Sequence, residues 1–206
     1  MRCLYCGKKK TKESLTSFFL EEDPLCVDCR KQMRPQRKII EVRGMKIETF
    51  YEYDSLYKSL LIQYKECYDE ALKDVFLYGI LDYINLRYHG YSLALVPSSR
   101  QKREERGFDH LELMCERVRL KRVKGLRMKT ELIQEGKNAE QRREMERNCL
   151  YEGGSLGKVL LFDDVVTTGA SLLGTFWAIK EKATIIKVLS LAYKYLQTDN
   201  ELLYNY

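Results

Sequence analysis

Residues 158–171 read KVLLFDDVVTTGAS, and the fold turns on them. Val159, Leu160, Leu161 and Phe162 form an unbroken apolar run, the pattern of a strand buried on both faces of a parallel sheet. The run stops at two adjacent carboxylates, Asp163 and Asp164, and then gives way to Val165, Val166, Thr167, Thr168, Gly169, Ala170 and Ser171. Leu172, Leu173, Phe176 and Ile179 follow at helical spacing. The stretch therefore predicts a strand, a tight loop and a helix.

A loop of this kind suits a phosphate lying beside a sugar diol. Backbone N–H groups at a helix start are unpaired, and the helix dipole favours an anion there by about 0.3–1 kcal/mol. Gly169 lets the backbone approach a ligand, hydroxyls of Thr167, Thr168 and Ser171 complete a cradle, and ionised carboxylates accept from vicinal hydroxyls. GGSLGK at 153–158 lacks the spacing of a Walker loop and precedes the strand, so the loop is not of that class. By spacing alone, an ordinary α/β turn with a satisfied acidic pair remains the alternative.

With 206 residues the chain has room for one α/β domain and a small appendage. Its formal charge of +6 is modest, so the placement of its 36 basic residues is more informative than their number. No run approaches a membrane-spanning length and no signal-peptide pattern opens the sequence, which predicts a cytoplasmic protein. Seven cysteines in such a compartment point to metal binding rather than a disulfide framework.

Cys3-x-x-Cys6 and Cys26-x-x-Cys29 make two knuckles at near zinc-ribbon spacing. Four thiolates would close a tetrahedral Zn²⁺ site with no open position, which makes it structural. A segment this short cannot fold on its own core, whereas zinc contributes about 10–16 kcal/mol in finger peptides. A redox pair is the alternative for each CxxC. The basic stretch RKQMRPQRK at 30–38 reads as a linker, either simply solvated or part of a nucleic-acid path beside the ribbon.

Residues 50–87 carry helical periodicity, expected as two helices broken near Cys67 and Tyr68, with Cys67 as core filler. Residues 93–96 predict a second buried strand, ending at Pro97 and followed by SSRQKREERGF. In an open parallel sheet its end would share the ligand-binding edge with the first loop. Arg103, Arg106 and Gly107 are expected to open the next helix, with a basic excess suited to an anion. Residues 117–129 hold seven basic side chains interleaved with apolar ones, partly as strand with its charges in water; 130–150 form a polar, mobile connector. A last strand is expected within 182–193, before a Tyr-rich tail.

The strand followed by DDVVTTGAS resembles the ribose-phosphate signature of type I phosphoribosyltransferases. With the paired CxxC knuckles, QYKxxxD at 63–69 and VPSSRxKREERGF at 96–108, the chain resembles the ComF family over nearly its whole length. The pattern departs at Tyr68, where the family commonly has glycine, and in the connector, which aligns on either Gln134 or Gln141.

The resemblance implies an α/β, parallel-sheet phosphoribosyltransferase-like core over 41–206 and a four-cysteine zinc ribbon with its linker over 1–40. It implies phosphoribosyl diphosphate, with Mg²⁺, on Asp163, Asp164, Val165, Val166, Thr167, Thr168, Gly169, Ala170 and Ser171, and on Ser99 and Arg100 for the pyrophosphate. It further implies a role in natural transformation, moving single-stranded DNA with a ComFA-type helicase in peripheral association with the uptake machinery. Candidate nucleic-acid contacts are Arg103, Arg106, Arg119, Lys121, Arg122 and Lys124. The alternative is an active phosphoribosyltransferase acting on an unidentified base or amine, although no base-recognition element stands out in the sequence.

Overall fold

A computed structural model of the chain describes residues 2–10, 23–128 and 149–194. The connector expected to be mobile falls at 129–148 for all but its last residues and, like the Tyr-rich tail, lies outside the described residues.

The α/β fold expected from the apolar runs is present, with a mostly parallel seven-stranded sheet. Its elements in chain order begin with helix α1 (Val27–Gln32), strands β1 (Lys38–Val42), β2 (Met45–Thr49) and β3 (Tyr51–Glu52), and helix α2 (Ser55–Glu66). Helix α3 (Leu81–Arg87), strand β4 (Ser92–Leu95), helices α4 (Arg100–Arg106) and α5 (His110–Met114), and strands β5 (Lys121–Arg122) and β6 (Leu126–Met128) follow. The described chain closes with β7 (Cys149–Tyr151), β8 (Leu156–Val166), helix α6 (Ala170–Ile179) and β9 (Ala183–Tyr193).

Across the sheet the order is β1-β2-β9-β8-β4-β5, while β3 continues the β2 side and also pairs with β9. Only β1–β2 is antiparallel in this sheet. β6 and β7 form a separate antiparallel pair. The apolar residues of β8, Val159 to Phe162, are buried at the centre, with β4 on one side and β9 on the other. This explains their uninterrupted hydrophobicity: successive side chains point to opposite faces of the sheet, and both faces are covered.

Strand β8 runs past Phe162 to Val166, because β9 pairs with it as far as Val166↔Tyr193. The two carboxylates expected at the strand's carboxyl end lie within its last residues. Residues 50–87 differ from the expected helix pair. They open with β3, α2 ends at Glu66, and a 3₁₀ turn (Glu70–Leu72) and further turns precede α3. The break is where the sequence places it, with Tyr68 at φ 59°. Cys67 caps the end of α2 and is exposed, so it fills no core.

The cysteine segment packs on this frame. Cys3, Leu25, Cys29 and Met33 are buried in one hydrophobic cluster with the strands. Arg30 fixes the contact: it holds Asp23 with two bonds of 2.6 and 2.8 Å, donates to the Val75 carbonyl at 3.1 Å and lies over the Tyr78 ring.

Candidate functional site

Because β4 and β8 are parallel neighbours, the loops that leave them emerge side by side, and Val96 N–H still reaches the Phe162 carbonyl at 3.0 Å. The carboxylates of β8, the 167–169 turn and the 97–100 turn therefore share the carboxyl edge of the sheet, the place where open α/β sheets bind ligands.

The two carboxylates have different surroundings. Asp164 is 4% exposed, and its Oδ2 accepts from Lys65 Nζ of α2 at 2.9 Å and lies 3.3 Å from His110 Nε2 of α5. His110 Nδ1 meets Arg106 Nη1 and Ser98 Oγ, each at 3.2 Å. An arginine can only donate, so Nδ1 accepts, the proton sits on Nε2, and His110 donates to Asp164. Burial alone would raise the Asp164 carboxyl, but His110 and Lys65 reverse this and hold it well below the usual range. Asp163 is pushed the other way: burial and the Asp164 charge hold it well above the usual range, against the pull of Lys65. The Asp164 N–H donates to Asp163 Oδ1 at 3.0 Å. The edge thus presents a fixed anion, already neutralised from behind, and beside it a carboxyl held toward its protonated form by burial and by its neighbour's charge.

Beyond Val166 the chain turns through Thr167 and Thr168, both exposed, to Gly169 at φ 71°. Gly169 is needed twice over. Its backbone is left-handed, and a Cβ there would lie 2.8 Å from Val42 Cγ1. The neighbour that comes so close is the tip of the β1–β2 hairpin, whose two-residue turn Arg43-Gly44 has φ 53° and 74°, as a type I′ turn requires. Arg43 Nε donates to the Thr168 carbonyl at 2.7 Å and fixes the turn from outside. Gly169 has no side chain to cap α6; the Ala170 N–H makes a long bond of 3.5 Å to Thr168 Oγ1, and the first N–H groups of the helix face the same edge as the threonines. Val165 is half-buried, Val166 is buried, and Ala170 and Ser171 begin α6.

In the neighbouring loop Ser99 caps α4, accepting from Lys102 N–H at 3.3 Å, and Arg100 pairs with Glu104 at 2.6 Å. Arg103, Arg106 and Gly107 close α4 instead of opening a helix. The serine supplies the N-cap four residues before Arg103, and Gly107 at φ 78° is the left-handed C-cap. Two cations in the last turn are favourable to the helix dipole. The Arg106 side chain is 5% exposed and donates to the Lys65 carbonyl at 2.9 Å, so it faces inward. Arg122 also turns in, toward the carbonyls of Val118, Leu120 and Cys115. Arg119, Lys121 and Lys124 are exposed, and Arg103 is half-exposed, 4.0 Å from Asp109.

Lys65 and His110 were not singled out by sequence reasoning. Lys65 stands inside QYKxxxD and His110 directly after RGFD, and the chain has only 2 histidines, so a rare residue flanking a polar loop was the available signal.

At the other end, Cys3, Cys6, Cys26 and Cys29 place their sulfur atoms within 4.8 Å of one another, and Cys6 Sγ and Cys26 Sγ are 3.7 Å apart. A tetrahedron of Zn–S bonds of about 2.3 Å has edges of about 3.8 Å, so the donor set fits a metal ion of this kind. The knuckle turns form because Gly7, at φ 70°, returns its N–H to the Cys3 carbonyl at 3.0 Å. Burial opposes charge at Cys3, yet backbone N–H groups of Cys6, Cys26 and Tyr5 outweigh it and bring the thiol down to about 6, toward the thiolate a metal requires. Among the described residues no helix is long and apolar enough to cross a membrane.

No protein-family model matches the chain. Over 199 residues it is 25% identical to Competence protein ComFC of Streptococcus pneumoniae (strain ATCC BAA-255 / R6), a match covering 84% of this chain and 90% of the relative. The four-cysteine cluster, the mostly parallel sheet and this similarity along the chain together support its relationship to the ComF family.

Proposed function

We propose that the protein serves natural transformation, assisting the uptake of single-stranded DNA with a ComFA-type helicase in the cytoplasm, and that its sheet edge holds phosphoribosyl diphosphate. The observation that carries this reading is the similarity to a competence protein over most of both chains. In this reading residues 1–40 form a zinc ribbon with its linker, and 41–206 a phosphoribosyltransferase-like unit. The ribose phosphate sits on the β8–α6 turn, against Thr167, Thr168, Gly169 and the first N–H groups of α6, with Asp163 on a ribose hydroxyl. Arg100 and Mg²⁺ meet the pyrophosphate. Asp164 acts from behind, through its bonds to Lys65 and His110. DNA phosphates follow the exposed cations Arg119, Lys121 and Lys124.

Contacts to Z phosphates of a single strand give a log–log salt slope of about −0.7Z, so these three cations predict a slope of about −2. Replacing Arg119, Lys121 and Lys124 together by Ala should flatten the slope and weaken binding alike for every sequence, as read by anisotropy across a salt series. An affinity indifferent to salt, or a deletion strain that transforms normally, would return the active transferase to first place. Calorimetry with phosphoribosyl diphosphate and Mg²⁺ decides the other half: no heat at millimolar ligand removes the phosphoribosyl site.

A further inference from the structure

The basic linker that follows the cysteine knuckles passes over the carboxyl edge of the sheet, and a cleft of about 160 Å³ lies there. Arg34 and Gln36 come from the linker, Phe50 and Tyr51 from the ends of β2 and β3, Tyr57 from α2 and Tyr193 from the end of β9. Cavities of about 150 Å³ take one benzene ring, so the volume suits a single six-membered ring.

The charges in the cleft select among such rings. Lys38 and Glu52 neutralise each other at 2.7 Å, with the Tyr193 hydroxyl between them. Asp54 is occupied as the cap of α2, accepting from Tyr57 N–H at 2.8 Å. The Lys38–Glu52 pair therefore offers a bound ring no net charge. What is left is an amide on Gln36 and a guanidinium on Arg34, both exposed and both without a side-chain partner among the described residues. An amide offers one donor and one acceptor in a plane, which matches the edge of a nucleobase; a guanidinium beside it matches a phosphate. The cleft is also joined to the acidic pair, since the Tyr57 hydroxyl donates to the Asp164 carbonyl at 3.2 Å.

We propose that this cleft holds one nucleobase, its ring among the tyrosines and Phe50, its edge on Gln36, and the adjoining phosphate on Arg34. The proposal extends the strand-binding reading, because the base would be one of a single strand, though a free nucleoside carries the same chemistry. Loss of one base contact of this kind weakens binding by about tenfold.

The test compares a short oligothymidylate with an abasic strand of equal length on the full chain, by anisotropy, with thymidine in a parallel saturation-transfer measurement. Wild type should bind the thymidylate about tenfold tighter than the abasic strand. Gln36→Leu should remove most of that preference, while Arg34→Ala should weaken both strands alike; both positions are exposed and both variants are checked by melting temperature. Equal affinity for the two strands overturns the cleft while leaving strand binding intact. A preference that survives Gln36→Leu places base reading elsewhere and overturns it too. If no strand binds but thymidine does, and Gln36→Leu abolishes it, the cleft stands as a nucleoside site and the strand reading fails. If neither binds, the cleft is no base site.

Discussion

Tyr68 adopts φ 59°, a left-handed backbone that costs a residue with a Cβ about 1–2 kcal/mol, and its ring is 47% exposed. Little packing offsets that cost. Tyr68→Gly should therefore raise the stability by about 1 kcal/mol in urea denaturation at unchanged m-value, part of the gain being returned as chain entropy. The position was legible in the sequence as a helix break, and the family pattern marked it as a glycine site. The fate of its neighbour was not, since Cys67 belongs to an apolar type while its exposure depends on where α2 stops. His110 was equally opaque. A lone histidine in a sequence carries no sign of its tautomer, and it is the inward turn of Arg106, a tertiary fact, that assigns the proton to Nε2.

At the level of the strand, two adjacent carboxylates of identical chemistry are set to opposite uses by what α2 and α5 bring to them. Asp164 titrates below its unfolded range, so its contribution to stability is present above about pH 4 and is lost as the pH falls further. Asp163 titrates above its unfolded range; it favours the fold below about pH 4 and opposes it as the pH rises toward its folded value. The substitutions should differ in sign accordingly. Asp164→Asn, which leaves Lys65 uncompensated, should cost about 2–4 kcal/mol at neutral pH. Asp163→Asn should stabilise the chain there and lose that advantage near pH 4, as thermal melts across pH would show. The DDVVTTGAS pattern announced strand, turn and helix, and that outline is present. What it could not announce was the length of β8, set by pairing with β9, or the hairpin tip that occupies the space above Gly169. The hairpin tip comes from more than a hundred residues away in sequence, as the 125-residue separation of Arg43 and Thr168 illustrates, and the β8–β9 register exists only once both strands are paired.

For the molecule as a whole, the four-cysteine cluster was readable from spacing alone, while its seat on the main core through Arg30 was not. We expect one equivalent of zinc per chain on elemental analysis, and Cys26→Ser with Cys29→Ser should abolish it. Because Cys29 and Met33 share the central hydrophobic cluster, metal loss should lower the melting temperature of the entire chain and not only unravel its first residues. The sheet also imposes a timetable on biosynthesis. Strand β2 finds its parallel partner only in β9, and Arg43 finds the Thr168 carbonyl 125 residues downstream. At about 5–20 residues per second, the ribosome leaves the β1–β2 hairpin waiting for several seconds to half a minute with a bare edge. An unpaired strand edge recruits other chains, so the interval before β9 emerges is when a nascent chain is most exposed to aggregation and to chaperone capture.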